Sequence, residues 1–421
     1  MLIELKPKYL ELHITVGKSL TPMKKKVLFL IRAYNDMDHF VPIMWKAAKE
    51  GYSVYYFFVD SWRARDYRKN ICDEVGAVEI RSKLIAWYHY KLKEKIKNKS
   101  LIRIFDGVFC IVVGGSILIR WGVNRLVVEW CGPSGREMGR YLLVAGRLLR
   151  IRTVSMPHGY HIWRNKLVTW EMVRNGSKDA RYDFSERNRF YRYIVQSENI
   201  QQYFLDRKIG QKQLAILGSA RFSEDWAKKN LEIALSEICA SAPFGRKPFV
   251  VFFLGNWNYR VNKNCCMDLL LALSQLTETS IIVKGHSRGD LIGGLDEREL
   301  SKLSNSKNIT YSQEATHSNV LIYYSSGIIN FGSSIALEAV VQGKPICNAS
   351  YLTQNETIFT NSKVVYDASN EEEVVDFVRL VLSDEFNSKV TPNDRSQFLV
   401  EHVYGGNAER NVLSEYVQLF E

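Results

Sequence analysis

GIINFGSSIALEAVVQGKPIC, running from Gly327 to Cys347, decides how the chain is read. A short apolar run meets a glycine and two serines, a helical apolar stretch follows, and Gly-Lys-Pro turns the chain into a second apolar run. Short apolar runs bounded by turn residues and joined through a helix describe a βαβ unit, the crossover that parallel strands require. The same rhythm extends outward. FVVFFLGN, TSIIVKGHSRG and NITYSQ precede it, and SKVVYDAS and the helical EEEVVDFVRLVLSDEF follow it.

A second series fills the first half of the chain. KKVLFLIRAYND (Lys25 to Asp36) leads into helical PIMWKAAKEG. Strands are then predicted at GYSVYYFFVD, FDGVFCIVVGG, NRLVVEWCG, RTVSMPHGY and RYIVQSE, with a helix at RYLLVAGRLLR. Near-continuous apolar strands are buried on both faces, so each series predicts a parallel sheet covered by helices. With 421 residues the chain exceeds what one core holds, and two Rossmann-like α/β domains facing a central cleft are expected. The first spans residues 1–215, a crossover occupies 216–247, the second domain spans 248–390, and a helical tail at 391–421 is able to pack back on the first domain.

Composition narrows the class. A hydrophobic fraction of 46% with 24% charged residues is that of an ordinary globular protein. Seven cysteines without CxxC or His/Cys ligand spacing read as reduced thiols of a cytoplasmic protein, and no metal site is predicted. The longest apolar stretch, Gly107 to Ile119, falls short of a bilayer crossing and carries paired glycines. The N-terminus lacks the apolar core of a signal peptide. No membrane-spanning helix is therefore expected. The net charge of +12 is uneven: residues 1–200 hold 36 basic and 19 acidic side chains, and residues 201–421 hold 21 and 26. WRARDYRK (Trp62 to Lys69) and KLKEKIKNK (Lys91 to Lys99), the latter behind Trp87, Tyr88 and Tyr90, suit either an anionic membrane surface or a solvated helix face. No nucleic-acid motif accompanies the charge.

In open α/β sheets ligands bind beyond the carboxyl ends of the strands. Three such loops carry chemistry. At Ser333 and Ser334 a strand enters a helix, whose N-terminus offers unpaired N–H groups to a phosphate; the same serines would also serve as plain helix caps. Glu338, one turn on, would reach ribose hydroxyls. In IIVKGHSRGD, Lys284, His286, Ser287 and Arg288 form an anion site. In SMPHGYHIWRN, His158 sits between a proline and a glycine, fit to act as general base, to bind phosphate or to hold the loop, with Arg164 behind it near an acceptor. At the crossover, LGSARFSEDW offers Ser219 and Arg221 to a donor. It also offers Glu224 or Asp225 as base or nucleophile, unless these are only first-turn helix charges. Asn256 and Tyr259 would lie over the base or sugar. Asp36 and Asp38 would receive an acceptor, their DxD spacing being coincidental for metal. No GxxxxGK[ST] loop and no GxGxxG opening the first βα unit occur, so neither ATP nor a dinucleotide cofactor is expected.

The order of MPHGY, LGSARFSEDW, VKGHSRG and FGSSIALEAVVQGKP, followed by YLTQNETIF, resembles bacterial surface-polysaccharide transferases of the GT-B fold over roughly Ser155 to Phe359. The GHS and SS elements are similar to motifs of bacterial sialyltransferases and Kdo transferases, which use CMP donors, and of CDP-glycerol transferases. The resemblance implies that His286, Ser333 and Ser334 contact donor phosphate and Glu338 the ribose. The expected enzyme is a transferase at the cytoplasmic face of an inner membrane, and it needs no metal, because Lys284, Arg288 and a helix N-terminus can neutralise the leaving phosphate. That enzyme would move Kdo or a related acidic sugar from its CMP donor onto a lipid-linked or oligosaccharide acceptor of capsule or lipopolysaccharide. Ser287 stands where proline usually follows the histidine. A CDP-alditol phosphotransferase, a nucleotide-sugar epimerase of the same fold and a non-catalytic assembly subunit are the alternatives.

Overall fold

The computed structural model describes residues 25–59, 67–175, 183–237, 248–277, 279–285, 301, 303, 306–312, 316–383 and 390–421. The expected donor residues His286, Ser287 and Arg288 lie outside these, as does most of the basic run that begins at Trp62.

Two parallel sheets organise the chain. The first holds β1 (Lys26–Ile31), β2 (Ser53–Phe58), β3 (Val78–Glu79), β4 (Arg125–Glu129), β5 (Arg152–Met156), β6 (Arg192–Val195) and β7 (Leu214–Ile216), in the order β3-β2-β1-β4-β5-β6-β7. The second holds β8 (Phe249–Phe253), β9 (Ser280–Lys284), β10 (Ile309–Tyr311), β11 (Gly327–Asn330), β12 (Ile346–Ala349) and β13 (Tyr366–Ala368), in the order β10-β9-β8-β11-β12-β13. Helices cover both faces, which is why β1, β4 and β8 are apolar at nearly every position and almost wholly buried. Strand order reverses between β1 and β4 and between β8 and β11. Ligands bind at such reversals in open α/β sheets.

One expected strand is a helix. Phe105–Gly115 belongs to a continuous helix from Lys99 to Trp121, with a π-helical turn at Phe109–Gly114. It is 23 residues long and, by length and composition alone, apolar enough to cross a membrane. The first of its paired glycines has a packing reason. A Cβ at Gly114 would run into the backbone carbonyl of Tyr141, so the absent side chain lets this helix cross the helix Gly139–Leu148 at close range. The basic stretch before it is not one helix either: a π turn (Tyr88–Leu92) and a 3-10 turn (Lys93–Lys95) end before the helix that starts at Lys99.

Two connections tie the domains. The helix Val412–Gln418 packs on the helix Tyr34–Lys49, and Val412, Leu413, Tyr416, Val417 and Phe420 complete the core under β1. The chain after β5 reaches the other way. Trp163 forms an antiparallel bridge with Thr357, Arg164 N–H donates to the Glu356 carbonyl (3.0 Å), Ile358 N–H donates to the Ile162 carbonyl (2.9 Å), and the Asn165 amide donates to Asn355 Oδ1 (2.9 Å).

Candidate functional site

A cavity of about 410 Å³ opens between the two strand-order reversals. His158, two residues after β5, stands on its first-domain wall, and behind the histidine lie two residues from neighbouring strand ends, Glu129 at the last position of β4 and Arg32 after β1. Arg32 pairs with Glu129, its Nη2 donating to Oε2 at 3.1 Å and its Nε lying 2.9 Å from Oε1. His158 Nδ1 lies 3.5 Å from Glu129 Oε2, and the ring stands edge-on to Trp130 with centroids 5.8 Å apart. Glu129 is 3% exposed, and burial, reinforced by nearby Asp36, pushes its carboxyl up to about 7 against the pull of Arg32. A proton placed on Nδ1 would face this carboxyl group, the tautomer in which Nε2 is the acceptor.

Aromatic rings line much of the rest. Trp130, Tyr160, Trp163, Tyr203 and Tyr259 contribute surfaces, and Arg136 and Arg187 contribute cationic groups. Arg187 is fixed, its Nη1 donating to Tyr193 Oη at 2.7 Å and its guanidinium lying 3.6 Å from the Phe184 ring centre. His161 also lines the cavity, and burial beside Arg207 lowers its pKa to about 4, so the ring is neutral near pH 7.

The second-domain wall is Gly332, Ser333 and Ser334, leading into the helix Ile335–Gln342. Gly332 has φ +67°, and an added Cβ would sit 2.8 Å from the Trp163 ring. Ser333 Oγ accepts from Ile335 N–H at 3.4 Å, whereas Ser334 makes no side-chain capping bond. Trp163 in turn packs on Tyr259, ring centres 5.0 Å apart.

The remaining expected residues separate into other places. Arg221 joins Asp38 of the first domain at 3.1 Å and approaches Glu338 of the second at 4.0 Å, and all three line a smaller cavity of about 50 Å³. Glu338 thus stands beside Arg221 and not on the larger cavity. Asp36, expected to receive an acceptor, lies inside the fold. It is fully buried and its Oδ2 accepts the N–H groups of Arg32 and Ala33 at 2.8 and 3.0 Å, closing the start of the first helix. Ser219 is buried, its N–H donating to the Val403 carbonyl. Glu224 and Asp225 are exposed first-turn residues of the helix Glu224–Glu237, and Asp225 lines a separate groove with Trp45 and Lys49. Neither carboxylate lines the larger cavity. Lys284 Nζ donates to the Thr316 carbonyl at 2.8 Å, Asn256 Oδ1 holds a turn by accepting Asn258 N–H at 3.0 Å, and exposed Arg164 reaches the Thr360 carbonyl at 3.4 Å. Among the described residues no group of three or more His, Cys, Asp or Glu is placed to hold a metal ion.

Glu129 is the principal residue that the motif reading passed over. Its signal was present in NRLVVEWCG, where an acid closes an otherwise apolar strand beside the expected switch point.

Two parallel-sheet α/β domains, six and seven strands wide, facing one cavity and tied by a returning C-terminal helix, define a GT-B-like fold. No family model and no curated protein sequence matches the chain. Solved structures do. The UDP-GlcNAc 2-epimerase of Neisseria meningitidis bound to UDP-GlcNAc superposes with a TM-score of 0.59 at 13% identity, covering 94% of this chain and 100% of that one. A glycosyltransferase from Rickettsia africae ESF-5 gives 0.54 at 13% identity, covering 94% and 98%. The UDP-GlcNAc 2-epimerase of Methanocaldococcus jannaschii in complex with UDP-GlcNAc and UDP gives 0.50 at 14% identity, covering 90% and 98%. At these identities the likeness is one of fold.

Proposed function

We propose that the chain is a glycosyltransferase that takes a sugar from a nucleotide-sugar donor and passes it to an acceptor hydroxyl in the cavity between its domains. The observation that carries this reading is the meeting of an acid–imidazole pair, Glu129 and His158, with the Ser333–Ser334 helix start across one aromatic-lined space. Donor phosphate would lie against Ser333, Ser334 and the N–H groups behind them, where the helix end favours negative charge. The acceptor oxygen attacks the anomeric carbon, its proton passes to His158 Nε2, and the bond from that carbon to the phosphate oxygen breaks with its electron pair leaving on the nucleotide. Glu129 holds the imidazole in register and stabilises the imidazolium that forms. The aromatic walls suit sugar rings, which stack their C–H faces on such surfaces.

Solved relatives of the fold that hold UDP-GlcNAc or UDP favour a nucleoside diphosphate sugar as donor. The CMP-Kdo donor implied by the motif resemblance draws support here from Ser333 and Ser334 alone. A growing surface glycan as acceptor rests on that same resemblance. An epimerase is the second reading, favoured by the likeness to the Neisseria enzyme; it would turn over a nucleotide sugar with no acceptor present.

A thermal-shift panel of UDP, UMP, CMP, CDP and GDP tests the donor site, because a ligand at about 100 times its Kd raises stability by roughly 2.7 kcal/mol. Stabilisation by a uridine or cytidine nucleotide that disappears in Ser334→Ala supports the reading and fixes the base. If no nucleotide stabilises the protein, the donor site as drawn is wrong. Product that forms from nucleotide sugar alone would move the assignment to the epimerase.

A further inference from the structure

The helix from Lys99 to Trp121 has two unlike faces. The inward face is fastened to the first domain through Asp106, a buried carboxylate. It accepts Tyr88 Oη at 2.9 Å and Tyr141 Oη at 3.1 Å and pairs with Lys93 and Arg140, each at 3.1 Å. Phe109, Cys110 and Leu118 join the core beside it, and Gly114 brings the helix onto Tyr141. The outward face is apolar and exposed: Ile104 is 62% exposed, Val108 46%, Ile111 62%, Val112 57% and Ile119 67%. These positions recur at the three- and four-residue spacing of one helical stripe. The short helix Lys83–Trp87 packs alongside and adds exposed Leu84 and Trp87.

A contiguous apolar surface of this extent needs a partner. Its charge surroundings select which one. From Arg81 to Arg103 the chain carries eight Lys and Arg and one Glu, and Lys95, Lys97, Lys99 and Arg103 are exposed. A second copy of the chain would bring this basic stretch against itself, whereas anionic lipid headgroups neutralise it while the apolar stripe enters the acyl boundary. The helix does not span the bilayer in this arrangement, because leaving the domain would strip Asp106 of its four partners in a medium without water.

We propose that the stripe from Leu101 to Ile119, with Leu84 and Trp87, seats the protein on an anionic bilayer, helix axis in the membrane plane. This does not depend on the reaction assigned to the cavity. Flotation of the full chain with phosphatidylcholine vesicles, with and without phosphatidylglycerol, tests it. The protein should float with the anionic vesicles, less so as salt rises. Ile104→Glu/Ile111→Glu/Ile119→Glu should reduce flotation to background while keeping the thermal midpoint, since all three side chains point to solvent. Each of Lys95→Glu, Lys97→Glu and Lys99→Glu should weaken binding about fivefold or more. Tyr323→Glu, exposed on the second domain, should change nothing. Failure to float, flotation unchanged in the apolar triple variant, or dimerisation through this face in light scattering without vesicle binding would each overturn the proposal.

Discussion

His158 gains its character from neighbours on other strands: Glu129 beneath Nδ1 and Arg32 behind Glu129. Substituting His158→Ala should lower kcat by about 10²–10⁴, the ordinary contribution of a general base, with nucleotide binding kept in the thermal-shift assay. Glu129→Gln is expected to lower kcat more than it raises KM and to shift the pH–rate profile, whereas a merely structural Glu129 would move stability and leave that profile in place. Gly332→Ala forces a positive φ on a residue with a Cβ and drives it into the Trp163 ring, so a loss of about 1–3 kcal/mol is expected in denaturant unfolding. A pH effect follows from His39, which burial beside Arg221 lowers to about 3. The folded protein keeps this imidazole neutral while the unfolded chain protonates near 6.5, so the stability it contributes is whole above pH 6.5. It is lost progressively as pH falls from 6.5 toward 3, at up to about 1.4 kcal/mol per pH unit. Urea midpoints at pH 7 and pH 5 check the sign. At this scale the sequence was only partly readable. Ser333, Ser334 and His158 announce themselves by glycine and proline neighbours, but Asp36 and Glu129 look alike as acids at strand ends. Only the fold tells the one that caps its own helix from the one that faces a histidine.

Among elements, most strands of both sheets were legible because a strand buried on both faces has to be a short apolar run; the two-residue β3 was not, and QLAILGSAR, which reads as the start of the second series, supplies β7 at the edge of the first sheet. The helix Lys99–Trp121 was not legible, because it meets the same description. Its β-branched residues favour a strand by propensity and its paired glycines disfavour a helix, and only packing against Tyr141 converts Gly114 from a breaker into a contact. Gly114→Ala should therefore destabilise by roughly 1–3 kcal/mol through overpacking, the opposite of the gain that Gly→Ala gives in an open helix. Chemical denaturation distinguishes the two signs.

For the molecule as a whole, the two-sheet plan followed from length and rhythm, and a tail able to return to the first domain was expected from its helical pattern, whereas the contacts that tie the halves could not be read. The last residues are an example: nothing in NVLSEYVQLF says that Phe420 lies under β1, its ring 6.0 Å from Phe29. Phe420→Ala should cost about 3–5 kcal/mol despite its place one residue from the chain end, measured by equilibrium unfolding. The other tie has a kinetic meaning. His158 heads a segment whose next residues are joined to the second domain at Thr357, Glu356 and Ile358, so the proposed proton acceptor is leashed to the half of the protein that carries the serines. A wide swing of one domain from the other would have to unzip this leash. Substrates must then enter and leave by smaller excursions of the rim, and turnover that is indifferent to added viscogen is the behaviour such a tethered machine should display.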